Sequence, residues 1–270
     1  MNINKIQSKS IINKSNIPFS DLCINPYVGC EHGCLYCYAS YMTTFSNHNY
    51  ERWGSFVDIK ENAPDLLKHY LTKHNLNQHI VIGSVTDAYQ PIEEDTKITR
   101  QILEILLKDK TQLSLLNNSF KLSIITKNKL ILRDLDLLKQ FNNLAIFVSI
   151  TTCDEKISKI IEPFASTPNE RINILSTLKQ NNIKCGALIS PYLPYITDYN
   201  ILFKCLENKI DFIHSEKINL KGNIKYFVLD MYKNYFNINN ILSTINDNNY
   251  WINVKTQFNN LCEQYKIPSI

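Results

Sequence analysis

The sequence predicts an α/β fold with parallel strands, a partial (β/α)6 TIM-like barrel that carries a helical C-terminal extension. Three observations lead there. Most strand candidates are short apolar runs without polar alternation, the pattern of parallel strands buried on both faces. Amphipathic stretches separate them, as in successive βα units joined by short links. Six such units are too few to close an eight-fold barrel, so the barrel should be open.

The strand candidates, in order, are Leu22–Val28, His79–Val85, Leu122–Thr126, Leu144–Ile150, Ile183–Ile189 and Phe212–His214. Helical patterns lie near Ala63–His74, Thr96–Lys108, Leu130–Phe141, Pro168–Gln180 and Tyr199–Glu207. In the second, Ile98, Ile102, Ile105 and Leu106 share one face at spacings of three and four. The fourth opens on Thr167-Pro168-Asn169-Glu170, an N-cap, a proline at the first helical position and a capping-box glutamate. Residues 1–20 read as a polar lead, 21–218 as the barrel, and 219–270 as the extension, with helical patterns at Phe227–Thr244 and Val254–Tyr265.

A hydrophobic fraction of 44% supplies one substantial core. The formal charge of +4 comes without a long basic run, so nucleic acid is neither demanded nor ruled out as a partner. The first residues lack the apolar core of a secretory signal, and no stretch approaches the roughly 18 apolar residues of a membrane span. A cytoplasmic protein with no membrane partner is expected, one whose thiols stay reduced.

Of the eight cysteines, three fall within Cys30-Glu31-His32-Gly33-Cys34-Leu35-Tyr36-Cys37. That clustering reads as a metal site and not as a disulfide framework. Following the first strand, the loop lies at the carboxyl end of the barrel, where such folds keep their chemistry. Gly29 and Gly33 let the backbone wrap a compact object. Three thiolates suit an iron–sulfur cube with one iron left open. A structural zinc site would need a fourth ligand, for which His32 and Cys23 are the candidates, yet no second ligand pair follows at finger spacing.

The segment Asn25-Pro26-Tyr27-Val28-Gly29-Cys30 through Cys37-Tyr38-Ala39 resembles the cluster loop of the radical S-adenosylmethionine superfamily, in particular its spore photoproduct lyase-like branch. Further segments share the likeness: Thr86-Asp87-Ala88-Tyr89-Gln90-Pro91-Ile92-Glu93, Ile125-Thr126-Lys127 with Leu132-Arg133-Asp134, Ser149-Ile150-Thr151-Thr152, Glu162-Pro163 through Arg171, and Ser190-Pro191. Together they span roughly Leu22 to Asp198.

The resemblance implies that Cys30, Cys34 and Cys37 bind a [4Fe-4S] cluster and that S-adenosylmethionine binds the remaining iron. It implies an electron donor such as flavodoxin or ferredoxin as partner, and reductive cleavage to methionine and a 5′-deoxyadenosyl radical that takes hydrogen from an unidentified substrate. Tyr36 then lies near adenine, Thr86 and Asp87 near the methionine amine, and Lys127 near the methionine carboxylate. Ser149 and Thr151, two apart on one strand, face the same side and suit the ribose or carboxylate. Arg171 sits in a first helical turn, where positive charge opposes the helix dipole; its partner is the carboxylate or a structural glutamate. Ser190 approaches the adenine edge.

In two places, the second strand and the sixth unit, the pattern departs from the branch. The lyase returns a hydrogen atom from a cysteine near its second strand, where this chain reads Val81-Ile82-Gly83-Ser84-Val85. Cys153, in phase with Ser149 and Thr151, is a candidate donor or a small buried hydrophobe, and Tyr38 is a candidate radical relay or a packing residue. Cys185, Cys205 and Cys262 lie in core patterns. The rival readings are an iron–sulfur electron carrier or sensor with four protein ligands and a zinc-dependent nucleic-acid module. His214-Ser215-Glu216-Lys217 and the extension are where substrate identity is expected to reside.

Overall fold

The computed structural model describes residues 1–49, 51–113, 120–220, 222 and 224–270. Its first strands, β1 (Asn2–Ile6) and β2 (Ile12–Lys14), occupy the stretch expected as a polar lead. Polar side chains are tolerated there because both strands lie at sheet edges with mostly solvent-facing positions. The expected first strand divides into β3 (Leu22–Ile24) and β4 (Tyr27–Gly29). The break falls at Asn25-Pro26, since proline has no N–H for a ladder, and the two halves join different sheets.

After a 3-10 helix at Tyr38–Phe45, β5 (Phe56–Lys60) pairs with β1 in parallel and with β4 antiparallel, making a small three-stranded sheet. Then come α1 (Ala63–Leu71), β6 (His79–Ile82), α2 (Glu93–Thr96), α3 (Ile98–Leu113) and β7 (Lys121–Thr126). Next are α4 (Leu135–Leu138), β8 (Leu144–Ser149), α5 (Glu155–Ile161), α6 (Pro168–Gln180), β9 (Cys185–Tyr192), α7 (Tyr199–Leu206) and β10 (Phe212–Lys217). The main sheet has the order β10-β9-β8-β7-β6-β3-β2. Its six strands from β3 to β10 are all parallel, and only β2 runs antiparallel at one edge. The sheet is thus the expected open, six-unit barrel, one strand wider than expected.

α6 begins and ends where its capping box and periodicity place it, with both reciprocal cap bonds formed. α5, held by the Asp154 cap, had no matching sequence expectation. The extension forms α8 (Ile224–Phe236), α9 (Ile241–Asn246) and α10 (Asn248–Tyr265), which play two roles. Val254, Phe258 and Leu261 of α10 enter the main core. Val228, Met231 and Tyr232 of α8 instead pack with Cys34 and Tyr36 of the cysteine loop. The last residues return to β10, where Ile270 N donates to Ile213 O (3.1 Å).

Candidate active site

A cavity of about 640 Å³ opens at the carboxyl ends of the parallel strands, within the range of small-molecule sites. Cys30, Cys34, Cys37, Tyr36, Tyr38, Thr86, Asp87, Lys127, Ser149 and Ser190 all line it. The topology explains the convergence. β3 leads through β4 to the cysteine loop, β6 leads on to Thr86 and Asp87, Lys127 follows β7, β8 ends at Ser149 and β9 carries Ser190 near its end.

The cysteine loop is held by close backbone contact. Gly29 and Gly33 both have positive φ, and Gly54, from the segment before β5, lies so near Gly33 that a Cβ there would stand 2.6 Å from Gly33 Cα. Glu31 N donates to the Gln90 side chain (2.8 Å), and Ile92 N donates back to the Glu31 carboxylate, tying the loop to the segment after β6. Thr86 Oγ1 donates to Gly29 O. All three cysteines are free thiols, Cys30 and Cys34 buried and Cys37 half-buried.

Burial pushes all three thiols up, that of Cys34 to about 12. For Cys34 and Cys37 the nearby Lys127 ammonium opposes that rise, and Cys37 is further helped by the backbone N–H groups of Ala39 and Ser40 and by the Trp53 side chain. Lys127 itself is raised: burial works to lower it, but Cys34 and Glu162 outweigh burial. Its Nζ lies 5.8 Å from the Tyr36 ring centroid.

Around this lining runs a shell of fixed polar groups. Asp87 accepts from Thr126 Oγ1 (2.8 Å), Lys127 N (2.7 Å) and Tyr89 N (2.8 Å), so it joins the ends of β6 and β7. His32, fully buried, lies 3.4 Å from Asp87 Oδ2, and burial lowers its pKa to about 4. The Tyr36 hydroxyl donates to Glu162 and lies 3.1 Å from Thr151 Oγ1. Glu162 pairs with Arg171 at 2.6 Å, and Arg171 also donates to Ser166 O (2.7 Å) and Ser149 O (3.1 Å).

Thr151 and Arg171 therefore stand behind the lining, with Arg171 on the structural glutamate that the sequence left as one of its two options. Tyr38 reaches across the mouth to donate to Ser84 O. Ser190 Oγ donates to Glu216 (2.9 Å). Cys153 lies off the lining: it packs on the main core, with Cys205 as its hydrogen-bond neighbour.

Sequence reasoning missed Trp53 and Lys60, both of which line the cavity. Trp53 comes from an irregular segment without periodicity. Lys60 ends β5, a strand of mixed polarity, and donates to Asn25 O (2.8 Å). Cys23 also lines the cavity, though the sequence singled it out only as a zinc ligand.

The donor set fits a polynuclear metal group. Cys30, Cys34 and Cys37 line one cavity, and a cluster takes one thiolate on each of several irons. Sulfur-directed N–H groups are what such a ligand shell uses to steady bound thiolates.

Comparisons with known proteins agree with this architecture. The model of the Radical SAM superfamily matches residues 24–201. An uncharacterized protein of Methanocaldococcus jannaschii is 39% identical over 222 residues, covering 82% of this chain and 80% of its own. One of Mycobacterium tuberculosis is 27% identical over 203 residues, covering 72% of this chain and 57% of its own. Among solved structures, spore photoproduct lyase complexed with dinucleoside spore photoproduct superposes with a TM-score of 0.71 over 99% of this chain and 80% of that one. At 13% identity that likeness speaks to the fold alone. No helix among the described residues is long and apolar enough to cross a membrane. With the family model matching about two thirds of its length, the chain belongs to the radical SAM superfamily and is a radical SAM enzyme.

Proposed function

We propose that Cys30, Cys34 and Cys37 hold a [4Fe-4S] cluster and that S-adenosylmethionine lies beside it in the large cavity. When bound, the pair supplies reductive cleavage of S-adenosylmethionine to methionine and a 5′-deoxyadenosyl radical, which takes a hydrogen atom from an unidentified substrate. The observation that carries this reading is the convergence of three free thiols with Lys127, Thr86 and Ser149 on one cavity at the strand ends.

The chain's own residues have distinct tasks in it. Lys127 is the cation for the methionine carboxylate and also offsets the charge of the thiolates. Thr86 and Asp87 bound the amine side, with Asp87 fixing the backbone of Lys127. Ser149 and Ser190 offer hydroxyls along the ribose and adenine. Tyr36 is locked by Glu162 and Thr151 and so presents a fixed ring face toward the cavity. Thr151 and Arg171 act through Tyr36 and Glu162, as positioning residues. Tyr38 stands at the mouth, where it would meet substrate.

Anaerobic reconstitution followed by dithionite and S-adenosylmethionine tests the reading. It requires about four irons per chain and release of 5′-deoxyadenosine, both lost in Cys30→Ala, Cys34→Ala and Cys37→Ala. Zinc without iron, or a stable cluster that never cleaves the cofactor, would overturn it. Lys127→Ala should keep the iron and bind S-adenosylmethionine more weakly; unchanged affinity removes Lys127 from the site.

A further inference from the structure

Lys60 brings a second ammonium into the large cavity. It ends β5, is half-buried, and lines the cavity together with Lys14, Lys127 and Lys217. Among the described residues the carboxylates on that lining are Asp87 and Glu216, and both are already engaged. Asp87 accepts from Thr126 Oγ1, Lys127 N and Tyr89 N, while Glu216 pairs with His214 (3.3 Å) and accepts from Ser190. The Lys60 ammonium donates to Asn25 O (2.8 Å) and has no carboxylate in salt-bridge reach among the described residues. Taking a cation out of water without a counter-charge is costly. Burial accordingly holds Lys60 below the usual lysine range, with only the Cys23 sulfur opposing.

Lys60 and Lys127 serve different ends of the cavity. Lys127 lies among Cys34, Glu162, Arg171 and Cys37, whereas Lys60 lies beside Cys23 of β3. Tyr38 neighbours both Cys37 and Cys23 and spans the interval. Lys14 belongs to the Lys60 end, since its strand pairs with β3 and its carbonyl accepts from the Cys23 thiol (3.7 Å).

We propose that Lys60, helped by the more exposed Lys14, binds an oxyanion, a carboxylate or a phosphate monoester, that is the end group of a small-molecule substrate. The inference rests on the functional reading above. S-adenosylmethionine brings a single carboxylate, which Lys127 takes in that reading, so the anion at Lys60 comes from the substrate. Charge-assisted hydrogen bonds to such a group replace the missing counter-charge. The cavity of about 640 Å³ has to hold cofactor and substrate together, and Lys60 is half-buried within it. That fits the end group of a small molecule better than the backbone of a polymer.

The test titrates inorganic phosphate and acetate into the reconstituted protein saturated with S-adenosylmethionine, by calorimetry at an ionic strength held constant with chloride. At least one anion should bind, and the tighter of the two tells whether the end group is a phosphate ester or a carboxylate. Affinity should fall roughly tenfold in Lys60→Met and about threefold in Lys14→Met, and should be largely retained in Lys60→Arg, which keeps the charge. Thermal melting gives a second readout that needs no S-adenosylmethionine. At about ten times its dissociation constant the anion should raise the wild-type midpoint by roughly 3 °C and leave that of Lys60→Met unmoved.

Failure of both anions to bind the wild-type protein would overturn the proposal, as would a Lys60→Met variant that binds them as tightly. Displacement of the anion by saturating S-adenosylmethionine would do the same, since it would put the anion at Lys127. A short oligodeoxynucleotide that binds through Lys60 more tightly than either anion would overturn the small-molecule class. Absence of 5′-deoxyadenosine under dithionite sinks the functional reading instead, and the melting comparison still decides the anion site at Lys60.

Discussion

The Arg171 guanidinium lies 2.6 Å from the Glu162 carboxylate, and neither side chain is exposed to solvent. Burial works against both charges, yet each holds the other ionised: Glu162 is pulled below the usual carboxylate range by Arg171 and Lys127, and Arg171 is raised by Glu162. The pair explains a cation in the first turn of α6, where the helix dipole alone disfavours it. Because Glu162 also accepts from Tyr36, the pair is the anchor that fixes one wall of the cavity.

Breaking that pair from one side should be costly. Glu162→Gln leaves a buried guanidinium unpaired, which typically destabilises by about 3–5 kcal/mol. The double variant Glu162→Gln/Arg171→Met removes both charges and should recover much of the loss. Urea denaturation of the metal-free proteins measures both; a single variant as stable as wild type would show the pair to be solvated in solution.

Helix α6 offers a milder test where the sequence was most legible. Thr167 accepts from Glu170 N, Glu170 accepts from Thr167 N, and Pro168 follows the cap. Thr167→Ala should cost about 1 kcal/mol, read as a lower urea midpoint with an unchanged slope. A loss within measurement error would mean that packing alone holds this helix end.

The contrast between α6 and other segments shows what the sequence could tell. Parallel strands buried on both faces, such as Leu144–Ser149, are apolar throughout and declare themselves. So does the cysteine loop, because its chemistry is a matter of spacing within eight residues. β1 and β5 were illegible, since they hold each other in a small edge sheet and their residues follow no single period. The same holds for Trp53, which reaches the cavity only through contacts between segments far apart in sequence. Arg171 shows the intermediate case: its helical position told that it needed an anionic partner, and only the folding of the end of α5 back toward α6 decided that the partner is Glu162.

Gly54 tests how tightly the cysteine loop is held. Its φ of +93° disfavours any side chain, and a Cβ would press on Gly33 Cα at 2.6 Å. Gly54→Ala should therefore combine the conformational cost of roughly 1–2 kcal/mol with displacement of the loop, lowering both thermal stability and the iron retained after reconstitution. Gly222→Ala is the control: its φ is also positive, but nothing lies within 4 Å of the added carbon. It should lose a similar conformational increment and keep its iron. Equal iron retention in both variants would mean that the contact between Gly33 and Gly54 does not shape the metal site.

His32 makes the metal-free protein sensitive to acid. Burial dominates its environment, with Lys127 and Arg171 adding to the effect and Asp87 opposing it, and its pKa falls from 6.5 to about 4. The folded protein therefore keeps His32 neutral while the unfolded chain binds a proton, so stability falls as pH falls. The contribution is fully present above pH 6.5 and is lost as pH drops through about 4. From that displacement the loss is on the order of 3 kcal/mol. His32→Gln, which cannot titrate, should flatten this part of the profile. Urea midpoints of the metal-free protein between pH 7 and pH 4 give the comparison, and parallel profiles for the two proteins would show that His32 is not buried as a neutral ring.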